Sequence, residues 1–449
     1  MRRIPRWSLA FAGLVCLSVF AYWGVWLPLR SSGYDFTGPY EAAYALGHHA
    51  SLQVYDVAAQ RAYSATTLHL PDGPSDFRWT PPMAVFLIPL GLLPYAAARV
   101  IWWALGVVGL ATSVWLLARC VAVIRAMRAS QEDARAAFWP ALALLACAAA
   151  VMQPVTDSLR LGQSATILLL GFALMAYGEV FDRQTLGGIG LAIAILDKLF
   201  PGALLLYFLW RGRYQVVWVA LAGVALACLV TLPVTGVAMY GAFAHALLAF
   251  SAEPNGGAVN LSLFHALIVT ASALLRPGRP EARGALYVAL AALVCAGLFA
   301  VALGARGWPA ALRRGAQVDG ETPEARLFAF SWIVTALLAL EPVDWVFYYL
   351  LALVPLAWLV AWPGDEQRDR RVMWLLPPRS VWRVIGFVGC ALAVAPLPFD
   401  TRTAAPMSLA FMFGICARPA GILGLWLAHA ASRGRKAASE TSALALEAT

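Results

Sequence analysis

The sequence predicts an all-α polytopic membrane protein with about 12 crossings, several of its apolar runs reaching the ~20 residues that a helical span needs. Three observations carry that expectation. Hydrophobic residues make up 61% of the 449-residue chain and charged residues only 13%, about half the charged share of ordinary globular proteins. The apolar residues come in long runs separated by short polar stretches, and arginines gather at alternate ends of those runs, as the positive-inside rule describes. With mean hydropathy at +0.72, a soluble fold would carry more apolar surface than it could bury. A cytosolic enzyme, a nucleic-acid binder and a disordered chain are therefore excluded.

The elements follow in order. Arg2, Arg3 and Arg6 precede an apolar run over 7–29, which reads as an uncleaved first span leaving the cytoplasm. Residues 30–80 form the first extracytoplasmic loop, carrying Asp35, Glu41, Asp56, Asp72 and Asp76. The stretch 81–94 is apolar but broken by prolines, which suits an interfacial or re-entrant piece. A second span, 99–124, returns inward and ends among Arg119, Arg125, Arg128 and Arg135.

Further spans are expected at 137–153, 164–178 and 186–196, then a short piece at 201–210 leading to Arg211 and Arg213. Beyond it come 216–233, 285–303, 327–340, 345–361, 381–396 and 407–428. The segment 261–275 is assigned to the outer face, because making it a span would turn Arg368, Arg370, Arg371 and Arg379 outward. Residues 1–432 thus read as a single integral membrane domain and 433–449 as a disordered cytoplasmic tail.

Net charge is +9, from 33 basic against 24 acidic residues, and only Lys198 and Lys436 are lysines. In a membrane protein that excess marks cytoplasmic loops rather than nucleic acid. The seven cysteines stand singly inside apolar runs, and the histidines show no ligand spacing. No metal and no cofactor is expected.

The informative polar residues gather at the outer ends of spans. Asp35, beside Tyr34 and Phe36, is a carboxylate at the membrane surface, suited either to a general base or to a plain loop position or helix N-cap. Arg160 and Gln163 precede an inward-running helix whose free N–H groups favour an anion. Asp197 and Lys198 interrupt an apolar stretch before Pro201, and intramembrane charges of that kind pair with each other or serve a site. Asn255, Asn260 and His265 lie in or beside a glycine-rich outer loop. Glu341, Asp344, Trp345 and Tyr348 put acids beside aromatics at one membrane edge, an arrangement open to sugar recognition or to an aromatic belt. Under this topology all five groups share one face of the membrane, as a transfer site or the mouth of a transporter would.

The order of short motifs resembles glycosyltransferase family 87, the polyprenol-phosphate-sugar-dependent membrane transferases of the GT-C class. The similar pieces are Tyr34-Asp35-Phe36 with Tyr40, the 45–47 and 54–56 stretches, Phe77 to Pro82 with Pro89 and Pro94, and Leu161-Gly-Gln163. They continue with Lys198-Leu-Phe-Pro201, Asn260-Leu-Ser262 and Glu341 to Tyr348. In this last piece Glu341, Asp344 and Phe347 stand where the family pattern has serine, serine and histidine.

The resemblance implies a GT-C-type fold with helical outer-face loops and Asp35 as the catalytic base. It implies an inverting transfer of a hexose or pentose, chiefly mannose, from a polyprenyl-phosphate-linked donor to an envelope glycolipid or glycan. The expected donor-binding residues are Lys198, Arg160, Gln163, Tyr40, Asn260, His265, Asp344, Trp345 and Tyr348. The expected partners are that donor, that acceptor and membrane lipid, with no nucleic acid. The expected location is the inner (plasma) membrane of a bacterial cell, active site facing outward. The alternative is a multi-span transporter or flippase of a sugar or lipid-linked glycan.

Topology is directly testable. Reporter fusions at Ser64 and Gly256 should report the outside, and fusions at Gln131 and Gln367 the inside. Gly256 and Gln367 on the same side would overturn the count of about 12 spans.

Overall fold

The computed structural model describes residues 6–50, 53–70, 75–127, 133–252, 321–340, 346–361, 379–394, 420–422 and 424–425. Every regular element among these residues is helical. The chain divides into two compact units, one of 1–209 with 213–255 and one of 210–212 with 256–449.

The first unit opens with α1 (Arg6–Phe20), which passes through a π turn (Ala21–Trp26) into α2 (Leu27–Arg30). Phe11, Leu14 and Leu17 stay largely exposed on this stretch, as side chains facing lipid do. The expected polar loop is mostly helical: α3 (Tyr34–Gly47) and α4 (Val57–Tyr63) occupy it, followed by a π turn at Ser64–Leu68. Prolines then keep the next pieces short, giving α5 (Pro81–Phe86) and α6 (Ile88–Gly91). The long α7 (Tyr95–Ala126) follows, long and apolar enough to cross a membrane. Arg99 on α7 donates to the carbonyls of Pro28 and Leu29, so the end of the first apolar stretch is tied to α7.

Next come α8 (Asp133–Val151) and α9 (Gln153–Leu161), which meet at a 61° bend where Pro154 removes a donor. Two shorter helices, α10 (Ala165–Val180) and α11 (Gln184–Asp197), lead through a 3-10 turn (Phe200–Ala203) into α12 (Leu204–Trp210). The unit closes on α13 (Tyr214–Ala252).

Here one expected boundary is corrected. The span read as ending at Pro233 runs three residues further, to a break at Gly236 (φ 64, ψ 166), and a second helical stretch follows to Ala252. Hydroxyls make the break tolerable inside an apolar segment. Thr235 donates to the Thr231 carbonyl at 3.2 Å, and Tyr240 donates to the Cys228 carbonyl at 3.2 Å.

Glycine sets the packing between α10, α11 and α13. A Cβ on Gly190 would meet the Gly171 carbonyl oxygen at 2.5 Å, and one on Gly188 would meet Val219 Cβ at 2.6 Å. Close backbone approach of this kind is how helices associate where lipid removes the hydrophobic drive. At one end of this trio the buried Arg213 pairs with Glu179 at 3.4 Å and also with Asp182. The charge is paired because an unpaired one would be costly there.

In the second unit α14 (Pro323–Leu340) packs beside a 3-10 segment (Val346–Ala352) and α15 (Leu353–Ala361), with α16 (Arg379–Val394) following. Phe328 meets Trp358 edge-on at 5.1 Å, and Arg211 is paired with Glu321.

Among the described residues three helices are long and apolar enough to cross a membrane, or four with the α8–α9 pair counted as one span. Other expected spans appear as shorter apolar helices, while 285–303 and nearly all of 407–428 lie outside the described residues.

Gly190→Leu should lower the thermal stability of the purified protein, by about the 1–3 kcal/mol typical of overpacking. Gly241→Ala should instead hold or raise stability, by up to about 1 kcal/mol, because nothing lies within 4 Å of a Cβ there and alanine is the better helix former. Equal melting curves for the two variants would refute this account of the packing.

Candidate active site

The turn holding Asp35 is built by three small residues. Gly33 adopts φ +67, a left-handed conformation that glycine reaches freely, and α3 starts at the next residue. Asp35 is therefore neither a loop residue nor an N-cap: it sits partly buried in the first helical turn, where the helix dipole favours an acid. Pro39 lacks the N–H that would bond the Asp35 carbonyl. The Ser75 hydroxyl takes that place and donates to the Asp35 carbonyl at 3.1 Å.

The same serine is tied in twice more. Its N–H donates to Thr37 Oγ1 at 2.7 Å, and the Gly38 N–H donates to its Oγ at 3.2 Å. Such closeness needs glycine, since a Cβ on Gly38 would lie 2.1 Å from the Ser75 carbonyl oxygen.

From this turn an aromatic ladder runs to the other motifs. Phe36 stacks on Trp102, with centroids 5.5 Å apart and planes 12° apart. Trp102 lies 5.7 Å from Trp79, and Lys198 Nζ stands 5.3 Å from the centre of the Trp79 ring. The Trp102 N–H donates to the Gly162 carbonyl at 2.8 Å. Gly162, at φ +79 after α9, packs so closely that a Cβ would be 2.7 Å from Phe36 Cβ. The Ser31 hydroxyl donates to the Arg160 carbonyl at 2.7 Å, and Thr80 donates to the carbonyl of Leu196. Four separate stretches of sequence, around Asp35, Trp79, Gly162 and Lys198, thereby meet.

Within this cluster the Arg160 side chain is partly exposed and lies 3.4 Å from Asp157. The Gln163 N–H donates to the Ser158 carbonyl at 2.9 Å, closing α9 ahead of α10. Asp197 is buried, with Lys198 and Ser164 as its electrostatic neighbours. A carboxylate thus stands near the start of α10, so the helix end expected to attract an anion already has an acid beside it. Lys198 follows the last residue of α11 in extended backbone, which takes its side chain out of the helix.

Of the remaining expected residues, Tyr40 packs against this cluster, its ring 6.1 Å from that of Phe36. Tyr40 is buried in the core, its hydroxyl donating to the Leu93 carbonyl at 2.7 Å and its ring 5.0 Å from Tyr95. Tyr348 belongs to the second unit, buried edge-on to Phe347. Asn260, His265, Asp344 and Trp345 lie outside the described residues. Trp79 formed part of a quoted motif but Trp102 did not, since a tryptophan in an apolar run looks like any lipid-facing or core side chain. Among the described residues no group of three His, Cys, Asp or Glu side chains could hold a metal ion.

Two other acids of the 30–80 stretch are now distinguishable from Asp35. Asp56 caps α4, accepting from the N–H groups of Ala58 at 2.9 Å and Ala59 at 3.1 Å. Glu41 is fully buried, and neither carboxyl oxygen has a hydrogen-bond partner. Burial pushes its pKa up to about 8.

A family profile for glycosyltransferase family 87 matches residues 77–319, more than half of the chain. A membrane glycosyltransferase is the class of protein that the apolar helices and this match define together. The chain belongs to glycosyltransferase family 87. The matched stretch holds Trp79, Trp102, Arg160, Gln163 and Lys198, and Asp35 precedes it. No curated protein and no solved structure matches the chain significantly.

Glu41 makes the stability of the fold fall with pH. Below about pH 4.5 both folded and unfolded chains hold the proton, so it adds no dependence. Between there and about pH 8 only the folded chain keeps it, so stability drops by up to ~1.4 kcal/mol per pH unit. Glu41→Gln should melt increasingly higher than the parent as pH rises from 5 to 8. Melting temperatures that stay parallel across this range would contradict an ionisable, desolvated Glu41.

Proposed function

We propose that the protein moves a hexose or pentose, mannose being the first candidate, from a polyprenyl-phosphate-linked donor to an envelope glycolipid or glycan. The site would face the extracytoplasmic side of the inner membrane, where a lipid-anchored donor and an interfacial acceptor can meet. The observation that carries this reading is the ladder Phe36–Trp102–Trp79, which gathers the Asp35 turn, Gly162 and Lys198 into one place. Membership of a glycosyltransferase family favours this reading over a transporter or flippase.

The chemistry follows from charge. A sugar linked to a lipid phosphate already carries its leaving group, so the protein must remove one proton and receive one departing anion. Asp35 takes the proton of the acceptor hydroxyl while that oxygen attacks the anomeric carbon. The bond from that carbon to the phosphate oxygen breaks on the opposite face, which inverts the centre. Lys198 and Arg160 stabilise the charge gathering on the released polyprenyl phosphate.

Asp35→Asn tests the base, because asparagine keeps size and hydrogen bonding but cannot accept a proton at neutral pH. Transfer from polyprenyl-phosphate-mannose should fall about 10²–10⁴-fold, while expression and donor binding change little. Asp56→Asn should stay active, since asparagine caps a helix as well as aspartate does. Near-normal turnover by Asp35→Asn, alongside a dead Glu41→Gln, would move the role to the wholly buried carboxyl.

A further inference from the structure

The first apolar stretch has one face tied down and one left open. On the tied face the Trp103 indole N–H of α7 donates to the Gly24 carbonyl at 2.9 Å, and Arg99 holds the carbonyls of Pro28 and Leu29. Gly24 and Pro28 are buried there. On the open face stand Tyr22, Trp23 and Trp26, all exposed, and after them the exposed Arg30. Tyr22, Trp26 and Arg30 recur at every fourth residue, so they share one side of the helix. The aromatics sit on the π turn between α1 and α2, a backbone form frequent at functional sites.

These three side chains form a column. Tyr22 stacks on Trp26 with centroids 5.1 Å and planes 19° apart. The Arg30 guanidinium carbon lies 4.6 Å from the centre of a Trp26 ring, within the ~6 Å reach of cation–π attraction. The neighbouring arginines are already engaged: Arg99 by its two carbonyls, and Arg160, whose own carbonyl accepts from Ser31, by Asp157. Among the described residues no hydrogen bond or ion pair engages the Arg30 guanidinium. We infer that the Tyr22–Trp26–Arg30 column is a binding site for an anionic phospholipid, with Arg30 holding the phosphodiester and the two rings bearing on the lipid beside it.

The chemistry favours that ligand. Stacking occupies the flat face of a guanidinium and leaves the N–H fork at its edge, which matches two phosphate oxygens at once. The column closes the apolar run over 7–29, where aromatic rings lie at the headgroup level of a bilayer. A soluble anion would use the fork alone. A phospholipid also covers the exposed rings and lays its acyl chains along the exposed Leu14 and Leu17. Such a site needs the chain to lie in a membrane and does not depend on any transfer reaction.

Delipidated protein in neutral detergent, titrated with dioleoyl-phosphatidylglycerol and followed by native mass spectrometry, tests the site. Arg30→Gln should weaken the tightest binding step about fivefold, and Trp26→Leu roughly 2- to 5-fold. Arg30→Lys, which keeps the charge without the fork, should lie between Arg30→Gln and the parent. A photoreactive phosphatidylglycerol should cross-link within 22–30 in the parent and lose that adduct in Arg30→Gln. Inorganic phosphate should not displace the lipid. Parental affinity in Arg30→Gln, or a cross-link that maps elsewhere, overturns the site. Parental affinity in Arg30→Lys or in Trp26→Leu overturns the stacked fork. Displacement by inorganic phosphate assigns Arg30 to a soluble anion instead. Tighter binding of undecaprenyl phosphate, lost in Arg30→Gln, gives the column to the lipid donor of the proposed transfer and overturns the phospholipid assignment.

Discussion

The stacking of Phe36 on Trp102 and of Trp102 beside Trp79 is the constraint on which the first unit's chemistry depends. Inside lipid, helices gain little by hiding apolar side chains from water, because the tails are equally apolar. Position must come from shape and from directed bonds. The ladder supplies both: flat rings fix spacing and angle, while the Trp102 N–H anchors the glycine that ends α9. Around it each backbone group freed by a break finds a specific partner, as Ser75 shows at the Pro39 interruption of α3. Polar atoms that would be expensive in an apolar setting become the fasteners of the site.

The helices were largely legible in the sequence, because runs of apolar residues bounded by arginine and proline leave few alternatives. The stretches read as 99–124, 164–178 and 186–196 correspond to α7, α10 and α11 within a few residues. Reading failed where a polar side chain repairs a break. Pro233 looked like an end, yet the hydroxyls of Thr231, Thr235 and Tyr240 bond around the kink and the helix resumes. The polar composition of 30–80 likewise concealed α3 and α4.

The candidate site was named in the sequence as an ordered set of motifs, and the meeting of those motifs was not foreseeable there. Nothing in the string of letters says that the residues near 35, 79, 162 and 198 converge, because a bend between α8 and α9 and two left-handed glycines do the converging. The three acids at 35, 41 and 56 look alike in sequence. Burial and capping separate them: one partly buried at a helix start, one sealed without a partner, one occupied as a cap. Ser75 carried no signal at all, being an ordinary serine in a polar stretch.

The shortness of α10 and α11 has a consequence for the surrounding lipid. With 16 and 14 residues, they rise only ~24 and ~21 Å, against a hydrocarbon thickness of ~30 Å. If α10 and α11 span the bilayer with their paired Arg213 end at one headgroup level, the opposite end carrying Lys198 falls several ångströms short of the other, and the membrane would dimple there or admit water beside the protein. Under the proposed function, a phosphate on a long isoprenoid chain would then sink to meet the lysine, and the local deformation of the bilayer would become part of how such a headgroup is selected over ordinary phospholipids.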